Sequence, residues 1–316
     1  MRDELVRNAL MGLNLQFTPD LVKIVLNYAH TFDGVLIKKH FLNTPPNVTA
    51  ILAVSDVLIV VGYSNGELAL LDLATCTSLV FEKHKHTQGI KDFALIDKAT
   101  FASCSNDHSV RVWDLATRLC TAFLAGHSDR VLAVAALSLH KLASSSADTT
   151  IKVWDLQTKS CLMTLDGHDD WVHDLAALSN DILVACSSSA LCVWDTETGI
   201  CIQKKPRDPA YWICWLVATG NDTFVSGCDD GTIHKWARTQ GLFVASIVGR
   251  AHCIRSFAAL PHNQLAAGTA TGVVNIWDDQ KHVMELPISR GWQRLAALPN
   301  GNLVCVTSDG QMSIWM

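Results

Sequence analysis

The stretch of residues 126–155 reads GHSDRVLAVAALSLHKLASSSADTTIKVWD and alternates between apolar runs and polar segments. The apolar runs, residues 131–137 and 151–154, have the length of short buried strands. The polar residues 144–150 between them are typical of a strand that ends in a tight turn. The pattern predicts short β-strands joined by hairpins.

This pattern recurs along the chain at a nearly constant interval. One further unit lies upstream, where Leu71 and Asp72 stand 42 residues before the first tryptophan of the repeat. A repeat of about 40–45 residues is the length of one propeller blade. Seven units therefore cover roughly residues 35–316. The repeat tryptophans, with spacings of 41, 40, 42, 41 and 38 residues, are Trp113, Trp154, Trp194, Trp236, Trp277 and Trp315.

Two paired marks bound the repeat: Gly126 and His127 at its start, and Trp154 and Asp155 at its end. In these marks and in its period the chain resembles the WD40-repeat β-propeller family. The resemblance implies an all-β, seven-bladed propeller with four strands in each blade. It covers almost the whole chain.

The two ends of the chain predict how the ring closes. The last unit stops at Trp315 and Met316, the end of a third strand, and a strand within residues 31–40 could supply the fourth. We therefore expect a propeller over residues 31–316. Apolar residues at helical spacing predict a short helical extension over residues 1–30.

Composition narrows the classes of function. The net charge is −5 and the sequence pI about 6.2, which disfavours nucleic acid as a partner. We interpret the basic residues Lys204, Lys205 and Arg207 as a solvated loop. No apolar stretch is long enough to span a membrane, and no secretory signal is evident.

Eleven cysteines without a CxxC pair favour a reducing compartment, so we expect a cytoplasmic protein. We interpret Cys120, Cys161 and Cys201, which each follow a repeat tryptophan by seven residues, as small buried hydrophobic residues at the start of outer strands.

Two neighbouring repeats contain serine, histidine and aspartate at nearly identical offsets. These residue types can form a catalytic triad, but a copy in each repeat argues against a single catalytic site. The WD40 resemblance implies instead a buried hydrogen-bond network that fixes the strand-to-loop geometry. Its members are His86, Ser103, Asp107 and Trp113 in one repeat, and His127, Ser144, Asp148 and Trp154 in the next.

Metal and cofactor chemistry has weak support. Residues 168–174 are rich in histidine and aspartate, but His168 already belongs to a repeat network and no zinc spacing is present. Phosphate-binding loops, dinucleotide fingerprints and nucleophile elbows are absent from the sequence. We therefore expect no cofactor, no bound metal and no enzymatic activity.

The residue just before each predicted inner strand should lie on the rim of the central channel, which in WD40 proteins is the usual partner-binding surface. Tyr211 lies beside one of these positions, and Asp169 and Asp229 lie close in sequence to others. Large aromatic residues and arginine are enriched at binding hot spots. We expect a partner-binding site at Arg130, Asp169, Trp171, Tyr211, Trp212 and Asp229. The rim positions are Asn47, Gly89, Arg130, Trp171, Trp212, Cys253 and Gly291.

The predicted function is that of a scaffold, a monomer or part of a larger complex, that binds a protein or peptide with a basic or aromatic segment. An alternative comes from residues 17–29 (FTPDLVKIVLNYA), which resemble the first helix of an F-box. That resemblance implies a substrate receptor of a ubiquitin ligase that uses its N-terminal helices as the ligase contact. Only about 13 residues of the F-box module are matched, and the propeller begins before the rest would fit.

Overall fold

The computed structural model describes residues 36–41, 47–75, 77–179, 181–206, 213–239, 242–250, 254–261, 264–278, 281–288, 293–307 and 310–315. Within these residues the chain forms seven four-stranded antiparallel sheets, which are the blades of a propeller. The first strands of successive blades pack against one another around a central axis. The prediction of an all-β, seven-bladed propeller is confirmed.

Blades are numbered in chain order, and each begins with its innermost strand. Blade 1 contains β2 (Val48–Ala53), β3 (Leu58–Tyr63), β4 (Leu68–Asp72) and β5 (Thr77–Val80). Blade 2 contains β6 (Ile90–Leu95), β7 (Thr100–Ser105), β8 (Ser109–Asp114) and β9 (Cys120–Ala125). Blade 3 contains β10 (Val131–Ala136), β11 (Lys141–Ser146), β12 (Ile151–Asp155) and β13 (Ser160–Leu165). Blade 4 contains β14 (Val172–Ala177), β15 (Ile182–Ser187), β16 (Ala190–Asp195) and β17 (Cys201–Pro206).

The remaining three blades follow the same order. Blade 5 contains β18 (Ile213–Gly220), β19 (Thr223–Cys228), β20 (Thr232–Thr239) and β21 (Leu242–Arg250). Blade 6 contains β22 (Ile254–Ala259), β23 (Gln264–Thr269), β24 (Val273–Asp278) and β25 (Lys281–Pro287). Blade 7 contains β26 (Gln293–Ala297), β27 (Leu303–Thr307) and β28 (Gln311–Trp315), with β1 (Leu36–Phe41) as its outer strand.

The ring is closed by strands from opposite ends of the described chain. Strand β1 pairs antiparallel with β28, so that Leu36 lies opposite Trp315 and Phe41 opposite Gln311. This pairing leaves neither strand as the bare edge of an incomplete sheet. The helical extension predicted over residues 1–30 lies outside the described residues.

The hydrophobic core lies between the blades. The second strands β3, β7, β11, β15, β19 and β23 share one burial pattern, in which every residue after the first is buried. Strands buried on both faces read as continuous apolar or small-residue runs instead of alternating ones. Seven apolar clusters result, and each contains residues of two adjacent blades.

Glycine permits the closest of these contacts. A Cβ atom at Gly62 in β3 would lie 2.7 Å from the ring of Phe93 in the next blade. The same arrangement recurs at Gly227, where a Cβ would lie 2.5 Å from the Phe257 ring. Both glycines allow a neighbouring aromatic ring to pack directly on the backbone of a second strand.

Blades 2 and 3 each contain the polar network predicted from the sequence. In blade 3 the imidazole of His127 bridges Asp148 Oδ2 and Ser144 Oγ, each at 2.8 Å. The indole N–H of Trp154 donates to Ser144 Oγ at 2.8 Å. In blade 2, His86, Ser103, Asp107 and Trp113 make the equivalent bonds at 2.7–2.8 Å.

The aspartates of these networks also hold a strained hairpin. Asp148 Oδ1 accepts hydrogen bonds from the N–H and the hydroxyl of Thr150. The intervening residue Thr149 has a φ of 71°, which is unfavourable for a β-branched side chain. Burial acts to raise the pKa of Asp148, but bonds from Thr150 and the charge of His127 outweigh it and leave the pKa below its usual value.

Blade 4 departs from the network. Ala185 occupies the register position that Ser103 and Ser144 hold in the two preceding blades. His168 therefore bonds Ser187 Oγ at 2.9 Å, while its Nε2 atom and the indole nitrogen of Trp194 have no hydrogen-bond partner among the described residues. The expectation that His168 belongs to a complete network is wrong, because the serine that would link it to the tryptophan is missing.

Polar side chains on the inner strands link successive blades. Asp92 Oδ2 accepts the N–H of Val134 at 3.1 Å, and Asp174 Oδ2 accepts the N–H of Leu216 at 2.7 Å. In blade 7, Arg294 donates to the carbonyl of Thr49 in blade 1. Asp92, Asp174 and Arg294 occupy equivalent strand positions and form what we call the inner-strand trio.

The trio contains carboxyl groups with unusual ionisation. Burial raises the pKa of Asp174 to about 8, and the charge of Asp92 acts in the same direction. Burial raises the pKa of Asp92 to about 6, although its backbone hydrogen bonds and Arg294 oppose the change. Asp174 is thus largely protonated at neutral pH.

We expect Asp148→Asn to lower the free energy of unfolding by about 1–3 kcal/mol, the cost of unsatisfied buried polar groups. One asparagine oxygen can accept from His127 and Ser128, but its amide group then faces the donors of Thr150. Chemical denaturation measures the change. Asp166→Asn, at an exposed position, is the matched control, and equal stability of the two variants would contradict the structural role of the network.

We also expect the unfolding free energy of the wild type to fall between about pH 4 and pH 8 relative to that of Asp174→Asn. An unfolded aspartate has a pKa of about 4, so the folded state holds the additional proton within this window and loses that advantage as the pH rises. Asparagine keeps the acceptor for Leu216 but cannot titrate.

Melting temperatures of the two proteins, taken in steps across this pH range, measure the difference. Asp166→Asn should follow the wild-type curve. Parallel curves for the wild type and Asp174→Asn would show that Asp174 does not titrate in this window.

Candidate functional site

We call the end of the propeller at which each first strand begins the top face. Asn47, Gly89, Arg130 and Trp171 lie directly before β2, β6, β10 and β14, at the rim positions that the sequence predicted. The remaining rim positions, Trp212, Cys253 and Gly291, lie outside the described residues, as does Tyr211. The networks of His86 and His127 brace the loops of blades 2 and 3 at this end.

Arg130 and Trp171 form one unit across the boundary between blades 3 and 4. The Arg130 guanidinium carbon lies 4.6 Å from the centroid of a Trp171 ring. The indole remains 43% exposed, although it is a large apolar side chain. A stacked arginine and tryptophan present a flat, preorganised surface to a partner.

Neighbouring side chains hold this unit in position. The backbone N–H of Trp171 donates to Asp170 Oδ1 at 2.7 Å, and that of Arg130 donates to Asp129 Oδ1 at 2.6 Å. The His173 ring meets Trp171 edge-on at 6.4 Å and bonds Ser188 Oγ at 2.9 Å. Burial lowers the pKa of His173, with Asp170 opposing the shift, so His173 is neutral at physiological pH.

Asp169 lies beside a lysine that sequence reasoning placed elsewhere. Lys204 Nζ lies 3.2 Å from Asp169 Oδ2 and also donates to the carbonyl of Gly167. Lys204 and Lys205 belong to strand β17, so their interpretation as a loop is wrong, and Arg207 lies outside the described residues. Strand alternation explains the outcome, because Lys204 points towards the top loop while Lys205 covers the indole of Trp236.

The acidic residues therefore differ in what they can offer a partner. Asp169 is exposed but shares its charge with Lys204. Asp229 is exposed and lies in the turn between β19 and β20, at the same end of the propeller. The structure brings Arg130, Asp169 and Trp171 into neighbouring top loops of blades 3 and 4, and it places Asp229 on blade 5.

Other chemistry has no support in the part of the chain that the structure describes. No group of three metal-binding side chains is found among those residues. In the same ranges no helix has the length and hydrophobicity to span a membrane.

The described cysteines are all free. Cys161 is exposed and Cys120 and Cys201 are half-buried, so the interpretation of these three as buried residues is wrong. They begin or adjoin the outer strands of their blades, where only one face of the strand is covered.

Comparisons with known proteins agree with this architecture. A family model described as "WD domain, G-beta repeat" matches residues 76–114, 118–155 and 159–195. U3 small nucleolar RNA-associated protein 15 of Schizosaccharomyces pombe is 31% identical over 86 residues. That match spans 27% of this chain and 17% of the relative, so the chain corresponds to only a small part of the relative's length.

Solved structures extend the likeness across most of the chain. The WD40 β-propeller domain of Doa1 has a TM-score of 0.78 at 17% identity, covering 90% of this chain and 97% of that domain. U3-55K has a TM-score of 0.75 at 19% identity, with coverage of 88% and 98%. The RRP9 WD40 repeats have a TM-score of 0.77 at 20% identity, with coverage of 88% and 96%. Identities this low establish the fold alone, and together with the three matched repeats they identify the chain as a WD40-repeat β-propeller protein.

Proposed function

We propose that this protein is a non-catalytic interaction scaffold that binds a partner protein on its top face, centred on blades 3 and 4. The observation that carries the proposal is the Arg130–Trp171 unit, in which an indole is preorganised by a stacked guanidinium yet remains 43% exposed. Exposed tryptophan is costly without a partner, and both residue types are enriched at binding hot spots.

The proposed partner presents a basic or aromatic segment. Three exposed or half-exposed carboxylates, those of Asp166, Asp169 and Asp170, surround the Trp171 loop, against the two cations Arg130 and Lys204. An aromatic or aliphatic side chain would pack on the indole, and a lysine or arginine would approach the carboxylates. Tyr211, Trp212 and Asp229 would extend this surface onto blade 5.

A place in a larger assembly fits the comparisons. One relative is described as RNA-associated, and we propose for this chain a role as a protein component of a multi-subunit complex, contacting protein instead of RNA with its acidic top face. The free cysteines support a reducing compartment, which includes both cytosol and nucleus. The cytoplasmic location remains a prediction.

The ubiquitin-ligase alternative depends on residues 1–30, which lie outside the described residues. Among the residues that the structure describes, no observation favours it, and it stays a hypothesis from the sequence.

We expect Trp171→Ala to reduce retention of the specific partner about tenfold or more, because the indole would supply most of the buried contact area. The measurement is quantitative mass spectrometry of proteins captured from cell lysate by immobilised wild type and variant. Asp169→Lys should weaken the same partner, since it replaces an attractive charge with a repulsive one.

Leu139→Ala is the matched control. Leu139 is 58% exposed and lies in the loop between β10 and β11, at the opposite end of the blade. Retention of the same proteins at the same level by wild type and Trp171→Ala would place the binding surface elsewhere.

A further inference from the structure

A shallow groove of about 340 Å³ follows the outer edge of blade 2. We call it the side groove, lined by His84, Arg111, Cys120, Thr121, Phe123 and Lys159. It lies on the circumference of the propeller, away from the top face.

An arginine and an exposed aromatic ring form the centre of the side groove. Arg111 in β8 lies opposite Phe123 in β9, and its guanidinium carbon is 4.7 Å from the ring centroid. Phe123 is 55% exposed. The Nε atom of Arg111 is buried without a hydrogen-bond partner, and Arg111 forms no ion pair with any described residue.

This pair is peculiar to blade 2. The same register position holds Lys152 and Thr164 in blade 3, where the lysine donates to the threonine hydroxyl at 2.9 Å. In blade 4 it holds Cys192 and Lys204. The repeat therefore does not require an arginine and a phenylalanine here, and packing within the blade does not account for the exposed ring.

The side groove is cationic in a chain whose net charge is −5. His84, in the loop that enters blade 2, and Lys159, in a loop of blade 3, flank the central pair. Lys159 Nζ donates to the carbonyl of Thr121 at 2.7 Å, which holds the ammonium against the outer edge of β9. Carboxylates are absent from the lining residues.

Strand β9 also offers backbone groups for pairing. It is the outermost strand of its sheet, so its outer edge has no strand partner among the described residues. An exposed edge can accept an extended peptide as an additional strand, and alternate side chains of that peptide then enter neighbouring pockets.

We propose that the side groove binds an extended acidic segment of a partner protein alongside β9. A carboxylate would pair with the free edge of the Arg111 guanidinium, and an apolar side chain of the segment would pack on the Phe123 ring. A second carboxylate would approach Lys159. This site goes beyond the proposed top-face function, and the two sites favour partner segments of opposite charge.

The test uses a fluorescein-labelled peptide that alternates glutamate with valine, and a counterpart with glutamine at each glutamate position. Fluorescence anisotropy should show binding of the acidic peptide to the wild type that weakens with added salt. The Arg111→Gln/Phe123→Thr double variant should bind about tenfold or more weakly. Amide hydrogen exchange over β9 should slow in the wild type when the acidic peptide is added.

Two variants serve as controls. Lys152→Gln removes a cation at the same register position of blade 3 and should leave peptide affinity unchanged, as should Trp171→Ala on the top face. The single variant Phe123→Thr changes an exposed side chain only, and should weaken binding even if the double variant does not fold.

Three results would overturn the proposal. The first is equal affinity for the acidic and glutamine peptides, and the second is wild-type affinity in a folded Phe123→Thr or double variant. The third is displacement of the acidic peptide by an oligouridylate that binds more tightly and loses affinity in the same variants, which would make the groove a nucleic-acid surface. Loss of top-face binding in Trp171→Ala with retained peptide binding separates the two sites.

Discussion

Each blade of this protein depends on both of its neighbours. The second strands are buried on both faces, and every apolar cluster combines side chains from two adjacent blades. A single four-stranded sheet would therefore expose its apolar faces to water. The hydrophobic free energy of the fold is gained at the interfaces, so that stability is a property of the closed ring.

The two polar systems contribute to this ring in different ways. The histidine networks of blades 2 and 3 act within a blade, where they link the incoming loop, a buried serine and the hairpin. The inner-strand trio acts between blades, because each member bonds a backbone group of the next blade. Blade 4 shows that the first system is not obligatory, since an alanine replaces the serine and the blade still packs against its neighbours.

The sequence was sufficient for features that repeat and insufficient for features that occur once. The tryptophan period predicted the blades, and equal offsets predicted the networks around His86 and His127. The pairing of Asp169 with Lys204 was missed, because it depends on which face of β17 each lysine occupies. Counting back from each tryptophan to the third residue of an inner strand would have aligned Asp92, Asp174 and Arg294, but their burial and mutual influence require the closed ring.

The exposed residues of this protein differ from blade to blade while the buried ones recur. Arg130 and Trp171 form a stacked pair on the rim, and Arg111 and Phe123 form another on the circumference, and neither pair is repeated at the equivalent positions described in blades 3 and 4. A uniform scaffold thus carries separate surfaces that can differ in charge and in the shape of the segment they accept.

The pairing of β1 with β28 has a consequence for biosynthesis. Strand β1 leaves the ribosome first among the described strands, and its partner leaves last, so the outer strand of blade 7 has no native neighbour while the intervening blades are made. The nascent chain must keep this edge from pairing with other chains until translation of the repeats is nearly finished. Blades can form in the order of their synthesis, but the ring closes only after the last strand has been released.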